Sequence, residues 1–394
     1  MGQYVGTSSS TVDYNLRQAY AGYFFHGMAA PFSVEAAEMK TEEERDRNAA
    51  AMADIEAAGF VRYPLFATTI HGEPVEKQAW LHPTFEPSSA EGFVDRHGMR
   101  YNIYVPSYQR AGTAGTMQML EDFGVSNYYI CIDPSQFQDY SKVYPVERLV
   151  IRDISFRDED MMDRVSSMKL PITMAGHAPL CNFVLALSRS LGESHFWFAD
   201  DDFKGLAVKS QRNDCTFEKD EAYDRTKYHR VSKLTADLGF DYQRFMRRME
   251  EVMLAVRNPG FVGLEKFGAV YTVPVMWRTG TRVYSYYLTN NETQIAHYSR
   301  QNNDVVTSME LTKNGLVNLL FQGVRYDSEP TQGGGGQSEL YAVLGTADKA
   351  NCLIRAQPAY SAMAYKHHRI HHHVTFTNGT PQRVVGVVAT DHRL

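Results

Sequence analysis

The chain has 394 residues, 43% of them hydrophobic and 22% charged, and carries a formal net charge of −6. Such a chain buries a real core, and its negative balance argues against a non-specific nucleic-acid coat. No run of about 18 apolar residues is present, so no membrane span is expected.

Four widely spaced cysteines, Cys131, Cys181, Cys215 and Cys352, form no CxxC pair. That excludes a cysteine-built zinc site and fits free thiols in a reducing cytoplasm. The first residues lack the basic start and apolar stretch of a secretory leader. Local basic stretches at 223–230, 244–248 and 365–369 read as solvated faces.

In chain order, a helix is predicted from Ser33 to Ala58, with Ser33 as N-cap and Gly59 as stop. "FVRYPLFATTI" (60–70) is strand-like, and a Pro-rich loop follows. Residues 1–98 therefore read as a partly helical N-terminal extension, and 99–394 as the main domain. From Arg100, strands and helices alternate. "YNIYVPSY" is a strand, "GTAGTMQMLEDFG" a helix stopped by Gly124, and "NYYICID" and "RLVIRDI" are strands. "LCNFVLALSRSLG" is a helix stopped by Gly192, and "HFWFADDD" is another strand. This order predicts an α/β fold: a mostly parallel mixed sheet flanked by helices, with ligands at the carboxyl ends of the strands. Those ends are Pro106-Ser107, Asp133-Pro134 and Asp200–Asp202.

Further on, 241–257 is an amphipathic helix with Phe245, Met249, Val252, Met253 and Val256 on one face. "AVYTVPVMW" and "TRVYSYYL" read as strands, and "VVTSMELTKNG" as a helix stopped by Gly315. "GGGG" (333–336) is a flexible loop. A hairpin is predicted around Asn378-Gly379.

The chemistry concentrates in Asp200–Asp202. At a strand end, Asp200 and Asp202 share a face and Asp201 turns away. Paired carboxylates suit a hard cation such as Mg²⁺ or Mn²⁺, which neutralises their repulsion and serves a diphosphate.

"FWFADDD" resembles the Asp-x-Asp signature of GT-A fold glycosyltransferases. Taken with "NIYVPSYQRAGT" (102–113), "GHAPLCNFVLA" (176–186) and "TRVYSYYLTNN" (281–291), the chain resembles the TET/JBP-associated glycosyltransferases. These are typically phage enzymes proposed to glycosylate hydroxymethyl pyrimidines in DNA. The resemblance implies a GT-A-like (Rossmann-like) fold, with 99–205 as the nucleotide-sugar half and 206–394 as the acceptor half. It implies a UDP-sugar donor and Mn²⁺ or Mg²⁺. The acceptor it implies is 5-hydroxymethylcytosine or 5-hydroxymethyluracil in DNA, and the location is the cytoplasm, the host's for a phage enzyme.

The same resemblance implies donor contacts from Pro106, Ser107, Arg110, Asp133, Asn182, Asp200 and Asp201. It implies metal contacts from Asp200, Asp202 and a late histidine, of which His371 and His373 share a strand face. Asp304 stands where the family places its general base, and Asn303 replaces the usual Glu; a helix cap is the other role for Asp304. Where the family shows an Ala-Arg-Asn run after Gly176, this chain has "GHAPLCN", keeping Asn182 but lacking the Arg. Tyr286, Tyr287 and Trp277 are core or stacking residues. Two alternatives stay open: transfer to a glycan, lipid or protein, and a non-catalytic DNA-binding module.

Overall fold

The computed structural model describes residues 34–69, 71–88, 98–157, 176–209, 228–231, 240–266, 276–293, 295–328, 349–366 and 369–376. Helix α1 (Val34–Ala57) leads into the hairpin β1 (Val61–Thr68) and β2 (Pro74–Leu81). Next come β3 (Ile103–Pro106), α2 (Gly115–Asp122), β4 (Tyr128–Ile132), the short α3 (Phe137–Ser141) and β5 (Leu149–Arg152). The middle of the chain forms α4 (Ala178–Ser190), β6 (His195–Ala199), β7 (Phe203–Lys209), β8 (Tyr228–Val231), α5 (Tyr242–Ala255) and β9 (Pro259–Lys266). The last part holds β10 (Trp277–Arg278), β11 (Tyr286–Asn290), α6 (Asn303–Lys313), β12 (Val317–Ser328), β13 (Ser361–Lys366) and β14 (Arg369–Val374).

Twelve strands join one sheet in the order β1-β2-β5-β4-β3-β6-β11-β9-β12-β7-β8, with β10 on β12. The fold is α/β, as the alternating pattern predicts. Its parallel block is β5-β4-β3-β6, and β9 pairs parallel with β12. The other pairings are antiparallel, including β6 with β11 and β2 with β5. Through β2, the hairpin at 61–81 continues the central sheet, so this part of the N-terminal segment is built into the domain.

Why the central strands sit where they do follows from their side chains. Every residue of β3, β4, β5 and β6 is buried, as expected of strands covered on both faces. Alternate residues face opposite layers. Trp197 and Ala199 belong to one large buried cluster with Ile103, Ile130, Met117 of α2 and Met249 of α5, and Ile55 of α1 is a member of the same cluster. Phe196 and Phe198 pack with Tyr104, Cys131 and the Phe183–Leu187 run of α4. Each large apolar side chain so buried contributes roughly 1.5–3 kcal/mol.

Several predicted boundaries match closely. α1 ends one residue short of the predicted Ala58, though Ser33 lies outside the described residues. Gly124 and Gly192 end their helices at φ 67° and 73°, a backbone region that favours glycine. The Gly-rich loop, the hairpin around Asn378-Gly379 and most of the "AVYTVPVMW" strand lie outside the described residues. β14 pairs with β13 upstream as a hairpin, His371 opposite Ala364 and His373 opposite Ala362.

Candidate active site at the end of β6

β6 runs out at Ala199, and Asp200–Asp202 form the turn that returns as β7. Two neighbours hold this turn. The Asp200 N–H donates to the carbonyl of Ser285, which adopts a left-handed φ of 43°. On the other side stands the start of α2. The Thr116 hydroxyl donates to the Asp200 carbonyl at 2.5 Å and accepts the Phe203 N–H at 3.0 Å. The Thr116 N–H reaches the Asp201 carbonyl at 3.4 Å. Gly115 makes this approach possible: a Cβ there would stand 2.2 Å from the Phe203 carbonyl oxygen. Sequence reading passed over Gly115-Thr116, whose only signal was a Gly-Thr pair at a helix start.

The three aspartates have different surroundings. Asp201 is buried and points inward: Oδ1 pairs with the Arg110 guanidinium, and Oδ2 accepts from Ser107 Oγ at 2.6 Å. Ser107 Oγ also lies 2.6 Å from Tyr140 Oη, which accepts the Arg110 N–H at 3.1 Å. Ser107, Arg110 and Asp201 are thus brought together, bonded to one another. Pro106 ends β3 beside Cys131 of β4.

Asp200 and Asp202 are different. Burial, and then repulsion from the neighbouring carboxylates, pushes both up to about 7. Lys266, at the end of β9, opposes this at both.

Asp133 is 1% exposed at the end of β4, and its oxygens engage the guanidiniums of Arg152 and Arg157. Burial alone raises its pKa, but the two cations outweigh burial and hold it below the usual carboxylate range.

The "GHAPLCN" segment opens α4 and faces the acidic turn from the other layer. His177 Nε2 lies 3.4 Å from Asp200 Oδ1, and its Nδ1 lies 3.5 Å from Cys181 Sγ. The ring packs edge-on against Phe198, with centroids 5.3 Å apart. Gly176 has φ 73°, and a Cβ on it would stand 2.3 Å from the Arg300 carbonyl oxygen. Arg300, itself buried, therefore packs its backbone and Cγ against Gly176. Asn182 is buried and grips the backbone of His297 twice, donating to its carbonyl and accepting its N–H, both at 2.7 Å. Asn182 thereby fixes the segment leading to α6.

Asp304 sits in the first turn of α6. Asn302, at φ 54°, is the N-cap residue, so Asp304 is inside the helix; its Oδ1 accepts the adjacent Val305 N–H at 2.8 Å. The negative charge of Asp304 adds to the rise at Asp200 and Cys181 and opposes the fall at His177, which puts it within electrostatic reach of all three. Asn303 turns into the protein instead, with Nδ2 3.4 Å from Cys181 Sγ and 2.9 Å from His297 Nδ1. Burial pushes His297 down to about 3, so its ring is neutral.

The late histidines arrive on β14. His372, on the face opposite His371 and His373, lies 3.5 Å from Asn302 Nδ2. Tyr286 and Tyr287 are buried core residues, and Trp277 packs on Phe321 with centroids 4.9 Å apart.

Among the described residues no three His, Cys, Asp or Glu side chains converge as a closed metal shell. The two-carboxylate set nevertheless suits a hard cation. Asp200 Oδ1 is buried without a hydrogen-bond partner; the His177 ring, which burial drives toward its neutral form, lies 3.4 Å away. A cation would also relieve the repulsion that raises both carboxyl groups.

The chain is thus an α/β sheet with an acidic turn at a strand end and Asp304 within electrostatic reach of that turn. The TET-associated glycosyltransferase family matches residues 101–336, more than half of the chain, and the chain belongs to it. It is accordingly a glycosyltransferase of TET-associated DNA modification. No curated protein matches the chain. Among the described residues no helix is long and apolar enough to cross a membrane.

Proposed function

We propose that the enzyme moves a sugar from a UDP-sugar to the hydroxymethyl group of 5-hydroxymethylcytosine or 5-hydroxymethyluracil in DNA, with inversion. The observation that carries this reading is the asymmetry of the acidic turn. Asp201 is paired internally with Arg110, whereas burial and neighbouring carboxylates raise Asp200 and Asp202, with Asp304 adding to the repulsion at Asp200.

Asp200 and Asp202 would hold Mn²⁺ or Mg²⁺, which when bound neutralises the diphosphate and assists its departure. The remaining work falls to the chain's own groups. Ser107, Arg110 and Tyr140 brace Asp201 and so set the pitch of the turn. Asp304 takes the proton from the acceptor hydroxyl. The freed oxygen attacks the anomeric carbon on the face opposite the leaving UDP, which inverts that centre. A hydroxymethyl group reaches this site from the major groove or on a flipped base.

The test is to incubate the purified protein with Mn²⁺, mixed UDP-sugars and hydroxymethylated DNA, and to digest the product for nucleoside mass spectrometry. A sugar mass on the hydroxymethyl nucleoside is expected. UDP release with unmodified DNA would move the acceptor to another class, and no turnover would remove the catalytic reading.

A further inference from the structure

Helix α1 lies wholly before the residues matched by the family, yet it buries two polar side chains. Glu44 is 1% exposed and Asn48 3%. Burying such groups on a peripheral helix is costly unless they are fully partnered.

Their partners form the turn after β4. Asn48 Oδ1 accepts the Ser135 N–H at 2.9 Å, and Glu44 Oε1 accepts from Ser135 Oγ at 3.1 Å. Glu44 also lies 3.9 Å from Arg157, one of the two cations on Asp133. The next residue, Gln136, accepts the Gln109 N–H through Oε1 at 3.0 Å. Gln109 is held at φ 56°, a left-handed conformation that a non-glycine residue keeps only when its surroundings impose it. Gln109 aims the next residue, Arg110, whose guanidinium binds Asp201 in the acidic turn. Every link from α1 to that turn is thus a hydrogen bond, an ion pair or a covalent neighbour.

We propose that α1 is a positioning element of the active site: Glu44 and Asn48 hold the 133–136 turn, which holds the 107–110 loop and, through Arg110, the acidic turn. The glycosyltransferase unit therefore extends beyond the residues matched by its family.

The test uses the full chain and three variants: Asn48→Leu, the milder Glu44→Gln, and Ile55→Ala. The last opens a cavity on the apolar face of the same helix and serves as the control for lost stability. Amide exchange over 107–116 and 200–203 is followed together with donor KM and kcat, well below the melting temperature of each variant. Exchange should be about tenfold faster in both segments of Asn48→Leu, the scale set by one buried hydrogen bond, and kcat/KM should fall by about as much. Glu44→Gln should show smaller changes of the same kind, and Ile55→Ala should leave both readouts unchanged. The kinetic arm rests on the acidic turn being the donor seat, whereas the exchange arm does not. Unaltered exchange in Asn48→Leu and Glu44→Gln overturns the proposal. So does faster exchange with unaltered kinetics, or an equal effect in Ile55→Ala.

Discussion

Replacing Thr116 with valine keeps the shape of the side chain and removes one hydroxyl. That hydroxyl is fully buried and serves two backbone groups, the Asp200 carbonyl at 2.5 Å and the Phe203 N–H at 3.0 Å. Without it, Phe203 N–H is stranded and Asp200 O loses a donor. Each stranded buried group costs about 1–3 kcal/mol, so the loss should be roughly 3 kcal/mol in all. In a domain of this size that corresponds to a melting temperature lower by roughly 4–5 °C. The functional effect should exceed the effect on stability, because both lost bonds flank the carboxylates that define the site. Thermal unfolding by circular dichroism, with Mn²⁺ and UDP binding by calorimetry, separates the two. Thr116→Val should lose at least about tenfold in UDP affinity at a temperature where it is fully folded, and Thr116→Ser, which keeps the hydroxyl, should recover most of it. If Thr116→Val binds and melts like the wild type, the bracing role assigned to α2 is wrong.

Other consequences follow from particular side chains. Burial pushes Glu250 up to about 7, although it accepts N–H bonds from Arg100, Tyr101 and Trp197. A raised carboxyl group contributes stability that is complete below its unfolded pKa and lost as pH rises through about 7, here on the order of 3 kcal/mol. Glu250→Gln should therefore flatten the fall in melting temperature between pH 5 and 8, and parallel curves for the two proteins would contradict this. Asn182→Ala strands the His297 N–H and carbonyl and should let Asp304 drift; kcat should drop while donor affinity changes by less than about threefold. An equal loss in both quantities would show that Asn182 serves the donor instead. Asp202→Ala should abolish metal-dependent UDP binding, and unaltered calorimetric affinity would remove Asp202 from the metal seat.

Much of the layout was legible in the chain because local signals and tertiary packing agree there. β6 is an apolar run that ends abruptly in acids, α4 and α5 carry helical periodicity, and glycines punctuate both ends. β9 and β12 were not legible. Their pairing joins residues far apart in sequence, and β12, with Asn318 and Gln322 inside it, breaks the apolar pattern. Both amides are partnered in the structure: Asn318 donates to the Ser308 carbonyl and Gln322 to Glu265.

Within the site, the separation of Asp201 from the Asp200 and Asp202 pair was legible from strand alternation, but the partners that hold Asp201 inward were not. Whether an aspartate faces inward or outward depends on Ser107 and Arg110, which follow the adjacent strand β3 but lie 94 and 91 residues from Asp201 in the chain. His177 was noticed only as a departure from a motif. Its approach to Asp200 depends on how α4 packs over β6, which no spacing rule reports.

The central claim is that donor seat and acceptor base are separate groups meeting at the end of β6. The most direct test is Asp304→Asn, assayed for single-turnover sugar transfer to hydroxymethylated DNA and, on the same preparation, for UDP affinity in Mn²⁺. The account predicts transfer reduced by at least about a hundredfold, the scale of a lost general base, with UDP affinity within about twofold of wild type. Transfer at the wild-type rate would contradict it.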